Sequence, residues 1–179
     1  SFEERRLRTL RSRLSAAYKG VHALLMKCGA EDFKSGQPYD QAVFFDENVD
    51  IHHVFPQAWC KSVGIGPEIY NSIVNKTPIA SGTNRMLGGV VPSSYFGRLT
   101  KGNDSNPAIA PDRLTSILES HEIEESFLHA DDFEGFMDDR RRRLLAIIES
   151  AMGKEALREA EVPSDHEEED YYAEEEREA

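Results

Sequence analysis

Apolar positions recur at helical spacing at both ends of the chain and alternate at strand spacing in its middle. Leu7, Leu10, Leu14, Tyr18, Val21, Leu24 and Leu25 predict a helix over 3–27, with Gly29 as its stop. Residues 30–39 read as a loop broken by Gly36 and Pro38. Two short strands are expected at 42–45 and 49–55, the second closed by Pro56, which has no N–H to donate to a ladder. Short helical turns punctuated by Gly64 and Gly66-Pro67 fill 56–74, and Thr77 to Ala80 predicts a return strand. A short helix carrying Asn84, Arg85, Met86 and Leu87 follows, with Ser81 or Thr83 as cap and Gly88-Gly89 as stop. Further helices are expected at 93–101, 111–120 and about 131–157. The last has Phe133, Phe136, Met137, Leu144, Leu145, Ile147 and Ile148 as its buried stripe and acids in its first turn.

The pattern is α+β: a mostly helical domain around a small strand pair. Four segments organise it, namely an N-terminal helical segment (1–40), a central core (41–102), C-terminal helices of the same domain (103–158) and an acidic tail (159–179) expected to be disordered. With 179 residues and a net charge of −12, the chain looks unpromising as a nucleic-acid binder. The distribution changes that picture. Residues 163–179 hold nine acids and one arginine, leaving the body at −4. Cys28 and Cys60 have no metal-binding spacing and read as free thiols of a cytosolic protein. No apolar run approaches the ~20 residues of a membrane span, and the charged start lacks a secretion signal. The opening without Met suggests a piece of a larger parent protein.

The chemistry concentrates at Asp50-Ile51-His52-His53-Val54-Phe55-Pro56, with Asn75 and Asn84 downstream. A neutral imidazole can take a proton from water. A divalent ion can polarise a phosphate and stabilise a leaving alkoxide. Imidazole plus amide oxygen suits Mg²⁺ or Mn²⁺. Adjacent strand residues point to opposite faces, so His52 and His53 share one site only if pairing becomes irregular near His53. Taken singly, Asn75 and Asn84 are ordinary turn or capping residues, and Arg85, Arg98 and Lys101 ordinary surface cations. His22, His121, His129 and His166 carry no assigned role, and Trp59, Tyr70, Tyr95 and Phe96 read as core.

Asp50 to Pro56, Asn75-Lys76-Thr77-Pro78-Ile79 and Thr83-Asn84-Arg85 together resemble the HNH nuclease motif. More narrowly, they are similar to the C-terminal HNH domain of GmrSD-type, modification-dependent restriction endonucleases. Flanking matches are Leu24-Leu25, Gly29-Ala30-Glu31-Asp32-Phe33, Trp59-Cys60, Pro92-Ser93-Ser94-Tyr95, Asp131-Asp132-Phe133, Arg140 and Met152-Gly153-Lys154, so the resemblance spans roughly 15–154. It implies a ββα-metal core with one divalent ion. His53 is then the general base, His52 and Asn84 the metal ligands, Asn75 the brace of the inter-strand loop, and Asp50 an orienting partner of His52 or a direct ligand. Arg85, Lys76, Arg98 and Lys101 are the expected DNA contacts. The partners implied are DNA, foreign or modified, and an N-terminal sensor or NTPase domain of the parent protein. The setting implied is the bacterial cytoplasm, in anti-phage defence. A catalytically silent DNA-binding or assembly module and a toxin-like ribonuclease are the alternatives.

Overall fold

The computed structural model describes residues 2–39, 49–102 and 107–158. The strand expected at 42–45 and the acidic tail lie outside them. Two short pieces replace the long helix expected over 3–27: α1 (Arg6–Thr9) and α2 (Ala16–Lys27). The interruption has a tertiary cause. Leu10 is extended, and its carbonyl accepts a hydrogen bond from Ile73 N at 2.8 Å. Ser15 then caps α2 by accepting from Tyr18 N. Leu14, counted in the buried stripe from its spacing, is 68% exposed in that break.

Strand β1 (Val49–His53) pairs antiparallel with β2 (Lys76–Ala80), and the register is regular from Val49↔Ala80 to His53↔Lys76. Between them lie α3 (Gln57–Ser62), α4 (Pro67–Tyr70) and a single 3₁₀ turn, Ile73–Asn75. Helix α5 (Ser81–Leu87) starts directly from β2 and ends at Gly88, whose φ of 67° is the left-handed conformation a helix stop uses. Neither Ser81 nor Thr83 caps α5 through its side chain. Asp32 does that work from the loop after α2. Its carboxylate accepts from Ala80 N at 2.9 Å and Thr83 Oγ1 at 2.7 Å, and also from Lys34 N, Ser35 N, Ser35 Oγ and the Tyr39 hydroxyl. Burial alone would raise the Asp32 pKa, but these donors outweigh it and hold it below the usual carboxylate value.

Helices α6 (Pro92–Thr100), α7 (Pro111–Glu119), α8 (Glu125–His129) and α9 (Phe133–Met152) complete the α+β domain. Helix α9 starts later than its acids suggest. Asp131 turns at φ 50° and binds Ser93, while Asp132 is the N-cap, accepting from Gly135 N. Two apolar clusters flank the hairpin. One gathers Val54, Phe55, Tyr95, Leu99 and Phe136, and the other gathers Leu7, Tyr18, Leu25, Ile73 and Leu144. Arg140, 1% exposed, sits on α9 between Phe136 and Leu144, at the seam of the two. Cys28 and Cys60 are free thiols. Among the described residues no helix is long and apolar enough to cross a membrane.

His121, at the end of α7, ties this frame to the hairpin. Its Nε2 donates to the Glu31 carbonyl, which can only accept, so Nδ1 accepts the Thr77 hydroxyl, each at 2.6 Å. Burial, with Arg140 nearby, lowers the His121 pKa from 6.5 to about 4. Burial likewise lowers that of His22, on α2, to about 3. Both imidazoles are therefore neutral in the folded state and protonate at a higher pH once unfolded. Their stabilising contribution is complete above pH 6.5 and is lost as pH falls towards the folded values. Each removes up to about 1.4 kcal/mol per pH unit in that window. Urea midpoints measured from neutral pH down to about 5 should fall steeply, with about one proton taken up on unfolding by each of these two groups and by His52 and His53, whose pKa values burial also lowers to about 4. A flat midpoint would contradict it.

Candidate functional site

Strand β1, its partner β2 and the helix α5 that follows β2 form one unit, and its polar side chains lie where strand and helix meet. On one face of the hairpin stand Asp50 and His52, opposite Ile79 and Thr77. Asn84 reaches this face from α5. Its Nδ2 donates to Asp50 Oδ2 at 3.0 Å, which fixes the amide so that Oδ1 faces His52 Nδ1 at 2.9 Å. Since the amide oxygen can only accept, Nδ1 carries the proton and Nε2 is the bare ring nitrogen. That Nε2 is buried and makes no hydrogen bond. Phe33 and Tyr95 stand edge-on to the ring, with centroids at 6.2 and 5.9 Å. Burial, only partly offset by the bond to Asn84, lowers the His52 pKa to about 4, so the imidazole is neutral.

Two neighbouring ligands of an octahedral ion at ~2.1 Å are about 3.0 Å apart. The observed His52 Nδ1 to Asn84 Oδ1 separation is 2.9 Å, filled by a hydrogen bond, so an ion held by both atoms would have to replace that proton and turn the ring or the amide. Asp50 stands behind Asn84, accepting from its amide nitrogen. Among the described residues no cluster of three His, Cys, Asp or Glu forms a metal cage.

His53 leaves the opposite face. Pairing stays regular through His53↔Lys76 and onward to Val54 N donating to Asn75 O at 2.9 Å, so the irregularity needed to bring both imidazoles to one side is absent. The ring is half-buried, with Nε2 3.0 Å from Asn71 Oδ1 and 3.3 Å from Gln57 Nε2. It is not sunk among aliphatic neighbours: those two amides and the Tyr70 ring surround it. Burial lowers its pKa to about 4, the Asn71 bond opposes this, and the charges of Lys76 and Arg13 add to the lowering.

Asn75 is wholly buried and spans the connection between the strands. Its Oδ1 accepts from Phe55 N at 2.9 Å, and its Nδ2 donates to the Phe55 and Tyr70 carbonyls, each at 3.0 Å. The expected DNA contacts divide. Arg85 and Lys101 are exposed. Arg98 is committed to the end of α5, donating to the Met86 and Leu87 carbonyls. Lys76 is buried, with Nζ on the Arg11 carbonyl at 3.3 Å and 5.7 Å from the Tyr18 ring centre, so it does not face solvent.

Two residues that organise this site escaped the reading by pattern except as flanking matches. Asp32 seats the start of α5. Arg140 donates to the Val74 and Lys76 carbonyls on either side of Asn75, at 2.6 and 2.9 Å, and to the His121 carbonyl through Nε and Nη2. A usable signal existed for Arg140: with Phe136 and Leu144 it continues the i, i+4 buried stripe of α9.

The chain is 31% identical over 124 residues to an uncharacterized protein of Methanocaldococcus jannaschii, a match covering 66% of this chain and 20% of that protein. It thus spans about a fifth of that relative's length. No family model matches the chain, and no solved structure matches it.

Proposed function

We propose that the chain is the cleavage module of a larger protein, a metal-dependent HNH-type endonuclease domain that hydrolyses DNA phosphodiester bonds. The observation that supports this best is the Asp50–Asn84–His52 chain, which joins strand to following helix in the order the ββα-metal resemblance requires. His52 and Asn84 would hold Mg²⁺ or Mn²⁺, and Asp50 fixes the rotamer of Asn84. When bound, such an ion supplies positive charge to the phosphate and the departing oxygen. His53, neutral at physiological pH, is given the proton of the attacking water by the resemblance alone, since regular strand pairing sends its ring to the face opposite His52 and Asn84. Asn71, accepting from His53 Nε2 at 3.0 Å, sets the plane of its ring and leaves Nδ1 as the bare nitrogen. Asn75 keeps the two ends of the strand connection at fixed spacing, so that β1 meets α5 in a constant register.

The regular pairing at His53 favours a second reading: a module with the same fold in which His53 does not act on the phosphate held at His52 and Asn84, and which binds DNA without cutting it. Nicking of supercoiled plasmid separates the two. The nuclease reading expects nicking with Mn²⁺ or Mg²⁺, none with EDTA, and loss of nicking in Asn84→Ala. Intact plasmid with either metal, or metal-dependent nicking undiminished in Asn84→Ala, would overturn it. Parallel digestion of RNA tests the ribonuclease alternative, and modified against unmodified DNA tests the restriction role.

A further inference from the structure

The sequence holds two runs of arginine, and the fold treats them differently. On α9, Arg140 is buried on backbone carbonyls, and the three that follow it meet carboxylates. Arg141 pairs with Glu4, Arg142 with Asp139, and Arg143 with Asp139 and Glu124. The other run is Arg5, Arg6, Arg8, Arg11 and Arg13, a stretch of nine residues without an acid. It forms α1 and the start of the connection into α2. Arg6, Arg11 and Arg13 are exposed there and enter no ion pair among the described residues. The backbone beneath them is fixed. Leu7 and Leu10 are buried, the Leu10 carbonyl is held by Ile73 N at 2.8 Å, and the Arg11 carbonyl accepts from Lys76 Nζ at 3.3 Å. The last described residues lie beside this run. After α9 stops at Gly153, Leu157 N donates to the Phe2 carbonyl and the Leu157 carbonyl accepts from Glu4 N, each at 2.9 Å. Arg158 closes on Glu149 at 2.9 Å. The chain after Arg158 therefore sets out from the bridge at Glu3, immediately ahead of α1.

We propose that the exposed arginines Arg6, Arg11 and Arg13 are the docking surface for this chain's own acidic segment 163–179. That segment carries nine acids against one arginine, so it complements the run in sign and exceeds it in charge. Pro163 lies five residues after Arg158, a span of up to about 17 Å when extended, and α1 is only about 6 Å long, so the run is within reach. Tethering this close makes the contact intramolecular, at an effective concentration of roughly millimolar order. One exposed ion pair holds little, but a string of carboxylates forms several at once and needs no single register to do so. The docked segment cancels the potential of the run, so a polyanion that uses these arginines must first displace it. This contact goes beyond the nuclease reading and does not rest on it, since it needs no metal, no base and no cleavage.

The test is paramagnetic relaxation in the full chain with a nitroxide attached through Ala173→Cys, the exposed Cys28 removed as Cys28→Ser and the buried Cys60 left in place. At about 10 mM salt, where charges act over about 30 Å, amide protons of residues 5–13 should relax faster than in the reduced, diamagnetic sample. At about 1 M salt, where that range shrinks to about 3 Å, the excess should fall at least about threefold. Arg6→Gln, Arg11→Gln and Arg13→Gln together should lower it as much at low salt. Lys27→Gln, Lys61→Gln and Arg142→Gln together remove equal charge from other exposed positions and should leave the excess within about twofold. Unshifted signals of Val54 and Leu144, one from each apolar cluster, check that every variant is folded. An excess that ignores salt, or that persists without Arg6, Arg11 and Arg13, is that of a segment tethered but not docked and would overturn the proposal. So would no excess at residues 5–13. A mixture of isotope-labelled chain without nitroxide and unlabelled chain with it completes the test. An excess of equal size there makes a second copy the source and overturns the intramolecular contact.

Discussion

His53→Ala is expected to reduce metal-dependent nicking by roughly 10²- to 10⁴-fold, the range for loss of a positioned general base, while leaving the fold in place. The ring is half-buried, and its polar contacts are to two side-chain amides, Asn71 and Gln57, which can turn to water when it is gone. The stability cost should therefore stay near 1 kcal/mol. The same assignment dictates a pH profile. An ordinary histidine would lose its base form below about pH 6.5, and sequence alone predicts a fall there. Burial, reinforced by Lys76 and Arg13, lowers the His53 pKa to about 4, so activity should hold level through mildly acidic pH and fall only as that value is approached. Full nicking in His53→Ala would dismiss His53 as the base. Because His53 and His52 leave opposite faces of β1, that result would confine the chemistry to the Asp50–His52–Asn84 side.

The second large effect concerns stability. Arg140→Met should destabilise the protein by about 3–5 kcal/mol, a large share of the roughly 5–15 kcal/mol that holds a domain folded. Two opposing terms decide the sign. Removing the guanidinium relieves the cost of burying a charge that, among the described residues, has no carboxylate in ion-pair contact. Against this, the Val74, Lys76 and His121 carbonyls lose their donors inside the fold, where water cannot replace them. Four hydrogen bonds from a charged donor outweigh the relief, since burial lowers the arginine pKa only to about 9 and leaves it ionised at neutral pH. Arg140→Lys should fall between, because one ammonium cannot reach three carbonyls with the guanidinium's spread of donors. Urea unfolding measures both. A methionine variant as stable as wild type would show that the carbonyls find other partners and that Arg140 is not what joins the two apolar clusters.

Much of the frame was legible from local pattern. Alternation and Pro56 located β1, Thr77 to Ala80 marked most of β2, and Gly88 ended α5 as its φ of 67° requires. The failures are equally physical. Leu14 keeps perfect helical spacing and is exposed, because the Leu10 carbonyl is taken by Ile73 and the helix cannot run through. Helix α8 is a single turn of five residues, too short for periodicity to reveal. The capping of α5 could not be read locally, since its acceptor is Asp32, some fifty residues earlier.

Residue order and spacing were enough to say which side chains carry chemistry and which elements bear them: histidines on a strand, an asparagine on the helix after it, a second asparagine between. Side-chain period and turn residues act over a few positions, and that information is local. Which of those groups meet was a matter for long-range packing. Register sends His52 towards Asn84 and puts His53 opposite Lys76, the Arg11 carbonyl draws the Lys76 ammonium inward, and Asp32 and Arg140 bind segments far apart in the chain. A buried carbonyl or carboxylate takes whatever donor the fold brings within 3 Å, so partners of this kind are chosen by the assembled core and leave no trace in local spacing.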